Sequence, residues 1–171
     1  LAFFGQFGKK GVGYYVAELK ESIGGILGLD NHWNVAIIGM GHLGAALANY
    51  QGIARLGFRL AAIFDANPVV IGTRVGERRV EDIAYLAEII AERDIQIGVI
   101  AVPAAHAQEV ADRLVGAGIR GIWNFAPVKL AVPENIPLIS EDLSVGLSSL
   151  SYSLTHIAFE DEELSEKNNI E

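Results

Sequence analysis

A glycine motif, VAIIGMGHLG, constrains the fold of this chain more than any other segment. Gly39, Gly41 and Gly44 have the spacing G-x-G-x-x-G. They follow a β-branched run at 34–39 that is typical of a buried strand, and they precede an alanine-rich stretch at 43–53 that is typical of a helix. Such glycines permit a tight turn, close approach of the backbone to a pyrophosphate, and close packing of helix on strand. The helix N-terminus offers free N–H groups to phosphate oxygens, so the motif predicts a dinucleotide site.

An acidic residue supports this interpretation and indicates which cofactor would bind. Asp65 ends the next apolar run, LAAIFD, 21 residues after Gly44, where a carboxylate normally binds the adenosine ribose. A carboxylate there repels a 2′-phosphate, and the following residues offer no arginine to receive one, so NAD(H) is favoured over NADP(H). Two simpler interpretations stay open: a glycine-rich turn without a ligand, and an acid that only forms the turn before Asn67 and Pro68.

Apolar runs and amphipathic stretches alternate along the rest of the chain. The remaining elements predicted from this periodicity are strands at 96–102, 121–125 and 137–140 and helices at 14–27, 81–93 and 105–118. Buried strands that alternate with helices of this length form βαβ units with a parallel sheet. The sequence therefore predicts an α/β fold, a Rossmann-type parallel sheet with helices on both faces.

Composition and charge narrow the class of function. The chain has 171 residues, 51% of them hydrophobic, which is enough for one well-buried domain but not for two. Residues 1–15 contain Lys9 and Lys10 and no acid, so this glycine-rich ribbon carries +2, whereas the whole chain carries −8. The acidic remainder would repel phosphate backbones, so nucleic-acid contact is expected only at the ribbon. The chain has no cysteine, which excludes disulfides and thiolate metal sites and fits a reducing compartment, the cytoplasm.

The termini and the apolar runs carry no targeting signal that we recognise. Gly, Asp, Arg or Pro interrupts every apolar run, so no helix is expected to span a bilayer. The opening segment LAFFGQFGKK does not fit a signal peptide, because its charges follow the apolar residues. The chain does not begin with Met, and one open interpretation is that it is a fragment of a longer protein.

Residues suited to catalysis are not apparent beside the predicted dinucleotide. A dehydrogenase needs a proton donor or acceptor near the nicotinamide and a place to hold the substrate. The histidines, His32, His42, His106 and His156, are each better explained as surface or helix-end residues. The predicted nucleotide fold occupies 34–140 and leaves no room for a substrate domain. We therefore expect a binding protein that is not an enzyme, with no catalytic residue and no metal site.

A leucine-rich segment at 141–159 follows the predicted sheet. Its apolar residues recur with a period of 3.5 and are Leu143, Leu147, Leu150, Leu154 and Ile157. Such a helix could cap its own domain, but we favour a partner's surface as its target, which predicts a homodimer. The charged tail at 160–171 is expected to fray.

Taken together, these segments resemble the Rex family of redox-sensing transcriptional repressors. The resemblance covers nearly the whole chain and is carried by FGQFGKKGVGY, VAIIGMGHLG, FDANPVVIG, AVPAAHAQEVADRLVGAGIRGIWNFAPV and EDLSVGLSSLSY. It implies a winged-helix domain that binds operator DNA, a Rossmann domain that senses the NADH/NAD⁺ ratio, and a C-terminal helix that swaps between the subunits of a homodimer. It also implies that NADH closes the dimer and releases DNA, which derepresses respiratory or fermentative genes.

The resemblance implies a division of the chain into five parts. These are a wing hairpin left from the winged-helix domain at 1–15, a linking helix at 16–33, the NAD(H)-binding domain at 34–140, a dimerisation helix at 141–159 and an acidic tail at 160–171. Lys9 and Lys10 of the wing would contact DNA phosphates. The base-reading helix of the family is not in the sequence, so we expect this chain to sense NADH but to bind DNA poorly or not at all.

The resemblance also implies a set of cofactor-binding residues. They are Gly39, Met40, Gly41, His42, Leu43, Gly44, Tyr50, Asp65, Val102, Pro103, Asn124, Phe125, Ala126 and Asp142. Tyr50 would lie beside the nicotinamide, and Asp142 would come from the partner's swapped segment. A simpler interpretation of Tyr50 is a helix residue packed in the core.

Two alternative functions remain open at this point. A CoA-binding Rossmann domain, as in the α subunits of acyl-CoA synthetases, has a similar glycine loop. Asp65 argues against it, because CoA offers no free adenosine 2′,3′-diol. A small NAD-dependent dehydrogenase is disfavoured by the lack of an acid–base residue.

Overall fold

The computed structural model describes residues 32–155 together with Val16 and Leu19. Both of these isolated residues are helical. The predicted wing with its lysines, most of the predicted linking helix, and the acidic tail lie outside the described residues.

A seven-stranded sheet forms the centre of the part of the chain that the structure describes. Its strands are β1 (Trp33–Ile38), β2 (Phe58–Asp65), β3 (Arg74–Val75), β4 (Arg78–Asp82), β5 (Ile97–Ile100), β6 (Gly121–Asn124) and β7 (Leu138–Ser140). They lie in the order β3-β4-β2-β1-β5-β6-β7. Every neighbouring pair is parallel except β3 and β4. The predicted α/β, Rossmann-type fold is confirmed.

Helices connect the parallel strands. They are α1 (His42–Ala48), α2 (Gln51–Arg55), a 3₁₀ turn (Ile83–Tyr85), α3 (Leu86–Glu92), α4 (Ala104–Gly116) and α5, which is described over 144–155. The helices between successive parallel strands pack against the sheet, as expected for Rossmann crossovers, whereas α5 follows the last strand, β7.

The two faces of the sheet are covered to different extents. Alternate residues of a strand point to opposite faces, and in β1 Ala36 and Ile38 join one apolar cluster whereas Val35 and Ile37 join another. The first cluster contains the buried residues of α3 and α4 and is closed to solvent. The second has few fully buried members and relies on partly buried side chains, including Trp123 and others of β2, β5 and β6. One face is therefore a finished core and the other is half covered.

The helix predicted at 81–93 is wrong in its first part. Residues 78–82 form β4, which pairs with β2 and buries Val80. Asp82 ends this strand, because its carboxylate accepts a hydrogen bond from the Ala84 N–H at 2.8 Å and starts the 3₁₀ turn. The sequence analysis also missed the short antiparallel pairing of β3 with β4.

The helix predicted at 43–53 is interrupted. α1 ends at Ala48, and Tyr50 has an extended backbone as the N-cap of α2. The Tyr50 ring lies over Gly52, where an added Cβ would be 2.4 Å from the ring. The break therefore places the tyrosine on the protein surface, not in the core.

The strand order fixes where a ligand can bind. From β1 the chain proceeds through β2 and β4 on one side, and from β5 it proceeds through β6 and β7 on the other. The carboxyl ends of β1 and β5 therefore flank the topological switch point, where open α/β sheets bind their ligands.

Candidate functional site

A cavity of about 370 Å³ opens at this switch point. Its walls come from the glycine loop after β1, from the segment after β2, and from α4 with the loop before it. Its volume falls within the range of roughly 300–1,000 Å³ that is usual for small-molecule sites. The motif that dominates the sequence therefore lies at the place where the topology predicts a ligand.

The three glycines of the motif have different structural roles. Gly39 has φ of +101°, and a Cβ there would lie 2.6 Å from the Ala101 carbonyl oxygen. A Cβ on Gly44 would lie 1.8 Å from the Gly39 carbonyl oxygen, so the helix contacts the loop directly. Gly41 lines the cavity and has no atom within 4 Å of its would-be Cβ. Gly39 and Gly44 thus shape the loop, whereas Gly41 leaves space for a ligand.

Asp65 joins the glycine loop to the end of β2. Its Oδ2 accepts a hydrogen bond from the Met40 N–H at 2.6 Å, and its Oδ1 accepts one from the Asn67 N–H at 2.7 Å. The carboxylate is partly exposed and lines the cavity. Each carboxylate oxygen has a second lone pair, so both can still accept hydrogen bonds from ribose hydroxyls. The residues at this end fit the adenosine half of a dinucleotide.

Part of the cavity lining was not predicted from the sequence, and we call this part the slot. It consists of the apolar residues Val70, Ile83 and Val110 together with Arg113 of α4. The Arg113 Nη2 donates a hydrogen bond to the Ile83 carbonyl oxygen. The spacing of Val110 and Arg113 indicates that both lie on one side of the helix after β5. Ile83 could not be assigned to the slot, because 81–93 was predicted as one helix.

The other end of the cavity holds some of the predicted residues. Val102 and Pro103 line it beside the glycine loop, as do Gly39, Met40 and Gly41. Gly44 is buried under the loop, and His42 and Leu43 begin α1 without lining the cavity.

The remaining residues implied to bind the cofactor lie outside this cavity. Tyr50 is 64% exposed and borders a separate apolar groove on the half-covered face of the sheet, beside Leu47 and Phe58. Phe125 packs on Trp123 with ring centroids 4.6 Å apart. Ala126 and Asp142 share a shallow depression at the carboxyl end of the sheet. Within residues 32–155, the structure brings together the residues expected at the adenosine end of the dinucleotide but not those expected at its nicotinamide end.

Asn124 is fully buried and has a local structural role. Its Nδ2 donates to the carbonyl oxygens of Ala126 and Val128, each at 3.1 Å, and its Oδ1 accepts from the Ala126 N–H at 2.9 Å. These bonds satisfy the amide and fix the loop after β6. Asn124 therefore shapes that loop.

Asp142 is fully exposed and precedes α5. Its Oδ1 accepts hydrogen bonds from the Ser144 N–H at 2.8 Å and from the Ser144 hydroxyl at 2.6 Å. These two donors lower the pKa of the Asp142 carboxyl below its ordinary value of 3.8. The carboxylate is therefore ionised at neutral pH and caps the helix.

Every described residue of α5 is exposed. Its large apolar side chains are exposed as well. Leu147, Leu150 and Leu154, and Leu143 directly before the helix, are each more than half exposed. Among residues 32–155 nothing buries this helix.

Two further properties concern only the residues that the structure describes. Among them, no three His, Asp or Glu side chains are grouped so that they could hold a metal ion. No helix in the same part of the chain is long and apolar enough to cross a membrane.

Comparison with known proteins identifies the family. Residues 30–128 match the family model described as CoA binding domain. A protein named redox-sensing transcriptional repressor Rex from Clostridium perfringens is 47% identical over 90% of this chain and 72% of its own length. A Rex from Carboxydothermus hydrogenoformans is also 47% identical, over 90% of this chain and 74% of its own length. The chain belongs to the Rex family of redox-sensing transcriptional repressors.

Solved structures agree with this assignment to Rex. A crystal structure of RSP in complex with β-NAD⁺ and operator DNA superposes with a TM-score of 0.88, at 42% identity, over 94% of this chain and 74% of that chain. The structure of RSP with β-NADH gives a TM-score of 0.82 at 42% identity, over 88% of this chain and 73% of that chain. A third structure describes RSP as a Rex-family repressor.

These matches decide between the alternatives that the sequence left open. The match to Rex covers nearly the whole chain, whereas the CoA binding domain model covers the nucleotide-binding part. The Rex relatives are named transcriptional repressors, not enzymes, so the dehydrogenase interpretation is not supported. The resemblance seen in the sequence is confirmed.

Proposed function

We propose that this chain is the redox-sensing unit of a Rex repressor and that it binds NADH and NAD⁺ in the crevice at the ends of β1 and β5. The observation that carries the proposal is the pairing of an open Gly41 with a carboxylate, Asp65, on the same cavity. The first leaves room for a pyrophosphate, and the second can accept ribose hydroxyls. The relative RSP has been crystallised with both redox forms of the cofactor.

The topology supports one orientation of the dinucleotide. Asp65 ends β2, so the adenosine half lies on the side of β2 and β4, with the pyrophosphate over the glycine loop. The nicotinamide half then extends towards β5 and β6. On this side the loop at 124–126 and Asp142 are the nearest predicted contacts, with Tyr50 on a neighbouring surface.

A homodimer would complete the nicotinamide half. α5 exposes its apolar residues along its whole described length, and such a surface is stabilised when a partner covers it. A partner's α5 would bring that partner's Asp142 and its neighbours to the open end of the crevice. This supports the swapped arrangement that the family resemblance implies.

Regulation follows from this arrangement by linkage. RSP was crystallised on operator DNA with β-NAD⁺ bound. If NADH favours a closed dimer and the operator favours an open one, NADH must weaken DNA binding by the factor by which DNA weakens NADH binding. The intact repressor then represses in the cytoplasm while NAD⁺ predominates and releases its operator as NADH accumulates.

The test is a calorimetric titration with NADH, NAD⁺, NADPH and CoA. We expect NADH to bind more tightly than NAD⁺, because the apolar walls after β5 and β6 suit an uncharged nicotinamide ring better than a cationic one. NADPH should bind far more weakly, because Asp65 repels its 2′-phosphate, and CoA should not compete. CoA binding tighter than NADH would overturn the proposal.

Two matched glycine variants locate the ligand. Gly41→Ala and Gly116→Ala each add a methyl group with no atom within 4 Å, but only Gly41 lines the cavity. We expect both variants to keep the stability of the parent and only Gly41→Ala to lose NADH affinity. Equal affinities in the two variants would remove the glycine loop from the binding site.

A further inference from the structure

We propose that Arg113 is a positioning residue for the adenosine half of the cofactor and that it acts by holding Ile83 in the wall of the slot. The inference rests on the proposed NAD(H) site and goes beyond it by assigning a residue that the motif does not contain. Arg113 lies in the last turns of α4, far along the chain from the glycine loop.

A hydrogen bond between α4 and the 3₁₀ turn is the main support for this inference. The Arg113 Nη2 donates to the carbonyl oxygen of Ile83, which also accepts the Leu86 N–H at the end of the 3₁₀ turn. A carbonyl oxygen has two lone pairs, so both donors can be accommodated. Arg113 is partly buried, and both it and Ile83 line the cavity. The hydrogen bond therefore joins α4 to the 3₁₀ turn, and both elements line the slot.

The walls of the slot suit a flat aromatic base. Val70, Ile83 and Val110 are aliphatic and line the same cavity as Asp65. An adenine attached to the ribose at Asp65 would enter between these side chains and gain free energy from the apolar area that it buries. That gain depends on the separation of the walls, because contacts between atoms weaken when a gap of even a fraction of an ångström opens.

The Arg113 hydrogen bond has a counterpart on another side of the same helix. Gln108 donates to the Ala131 carbonyl oxygen and accepts from the Ala131 N–H, each at 2.9 Å, and it does not line the cavity. Loss of either side chain removes a connection between α4 and a neighbouring segment, but only Arg113 borders the slot. Gln108 is therefore the matched control.

The experiment measures dissociation constants of NADH and of ADP-ribose, which lacks the nicotinamide. Arg113→Met keeps the aliphatic stem and removes the guanidinium. We expect it to weaken both ligands by the same factor, about tenfold, the order of one charge-assisted hydrogen bond. Gln108→Met should leave both dissociation constants unchanged, and Arg113→Lys, which keeps a donor, should recover part of the loss.

A double-mutant cycle tests whether Arg113 acts through Ile83. In an Ile83→Ala background the wall is already removed, so Arg113→Met should have little further effect on ADP-ribose binding. A full additional loss in that background would overturn the proposal, as would an effect on NADH without one on ADP-ribose. If Arg113→Met does not fold, the same comparisons made with Arg113→Lys decide.

The failure of this inference differs from the failure of the proposed function. If the parent chain binds neither NADH nor ADP-ribose, the NAD(H) site itself is wrong. If the parent binds both and Arg113→Met binds them equally well, only the role of Arg113 is wrong.

Discussion

The two halves of the candidate crevice differ in how completely one chain builds them. At the adenosine end, one cavity is lined by two hydrogen-bonded pairs, Asp65 with Met40 of the glycine loop and Arg113 with Ile83. At the nicotinamide end, Tyr50 lies on a separate groove, and Asp142 precedes a helix that is exposed over its described length. Within residues 32–155, the residues expected at the adenosine end thus share one cavity, whereas those expected at the nicotinamide end do not.

The faces of the sheet repeat this asymmetry. The face under α3 and α4 is closed, and the face that carries Tyr50 and Trp123 is only half covered. Among the described residues, neither the end of the crevice near Tyr50 and Asp142 nor this face of the sheet is completed.

The largest effect on stability and on NADH binding should follow from a change at the adenosine end, in the glycine loop. In Gly44→Ala the added Cβ would lie 1.8 Å from the Gly39 carbonyl oxygen, so the loop must move. Overpacking of this kind costs on the order of 1–3 kcal/mol, and we expect lowered thermal stability together with loss of NADH binding. Thermal unfolding and titration of the same sample measure both. A Gly44→Ala protein with the parent's melting temperature would show that the loop is less rigid than the structure indicates.

The next largest effect, on the oligomeric state, should follow from changes in α5. Leu147→Glu with Leu150→Glu places two carboxylates on α5, where both leucines are exposed in the single chain. Burying unpaired carboxylates at a dimer interface costs several kcal/mol, so we expect a monomer at micromolar concentration in sedimentation equilibrium. The thermal stability of that monomer should match that of the parent at concentrations where the parent also dissociates. A variant that remains dimeric would place the interface elsewhere.

A smaller effect, on the affinities for NADH and NADPH, should follow from loss of the Asp65 carboxylate. Asp65→Ala should weaken NADH binding by at least ~1 kcal/mol, the scale of one lost hydrogen bond to a charged group. The same change removes the repulsion of a 2′-phosphate, so the difference between NADH and NADPH should narrow. Calorimetric titration of both cofactors gives this ratio. An unchanged NADH affinity would remove Asp65 from the site.

The smallest effect concerns the cap of α5. The pKa of the Asp142 carboxyl is lowered in the folded chain, so its stabilising contribution is present above the ordinary value of 3.8 and is lost as the pH falls through the lower, folded value. We expect helicity by circular dichroism to be constant around neutral pH and to fall slightly on acidification below about pH 4. Asp142→Asn, which cannot ionise, should not show this step. The same step in both proteins would assign it to other carboxylates.

The sequence predicted the buried half of the molecule better than its surface. The strands β1, β2, β5, β6 and β7 and the helix α4 were recognised from their runs of apolar residues. The hairpin of β3 and β4 was missed, because β3 has only two residues and its neighbour is rich in arginine. The start of the helix predicted at 81–93 was wrong because the pairing of β4 with β2, a tertiary contact, overrides local periodicity.

The same distinction holds for the site. Gly41 and Asp65, which line one cavity, were predicted from the sequence because a phosphate and a ribose impose fixed residue types at fixed spacings. Arg113 was missed because its role depends on Ile83, thirty residues away, and no local pattern relates the two. Asn124 illustrates the reverse, since the motif around it was recognised but its amide bonds to its own loop. The cofactor roles of Tyr50 and Asp142 stay predictions until a dimer is measured.

Trp123 gives this chain an optical probe close to the residues that precede α5. The indole N–H donates to the Glu141 carboxylate at 3.2 Å, directly before Asp142 and α5, while the ring packs on Phe125. The only other tryptophan, Trp33, lies at the opposite, amino end of β1. Indole emission responds to hydrogen bonding and to the polarity around the ring, and reduced nicotinamide absorbs light where tryptophan emits. A Trp33→Phe protein would therefore carry a single emitter beside the expected nicotinamide position, and both helix displacement and arrival of the reduced cofactor could be followed in real time without a label.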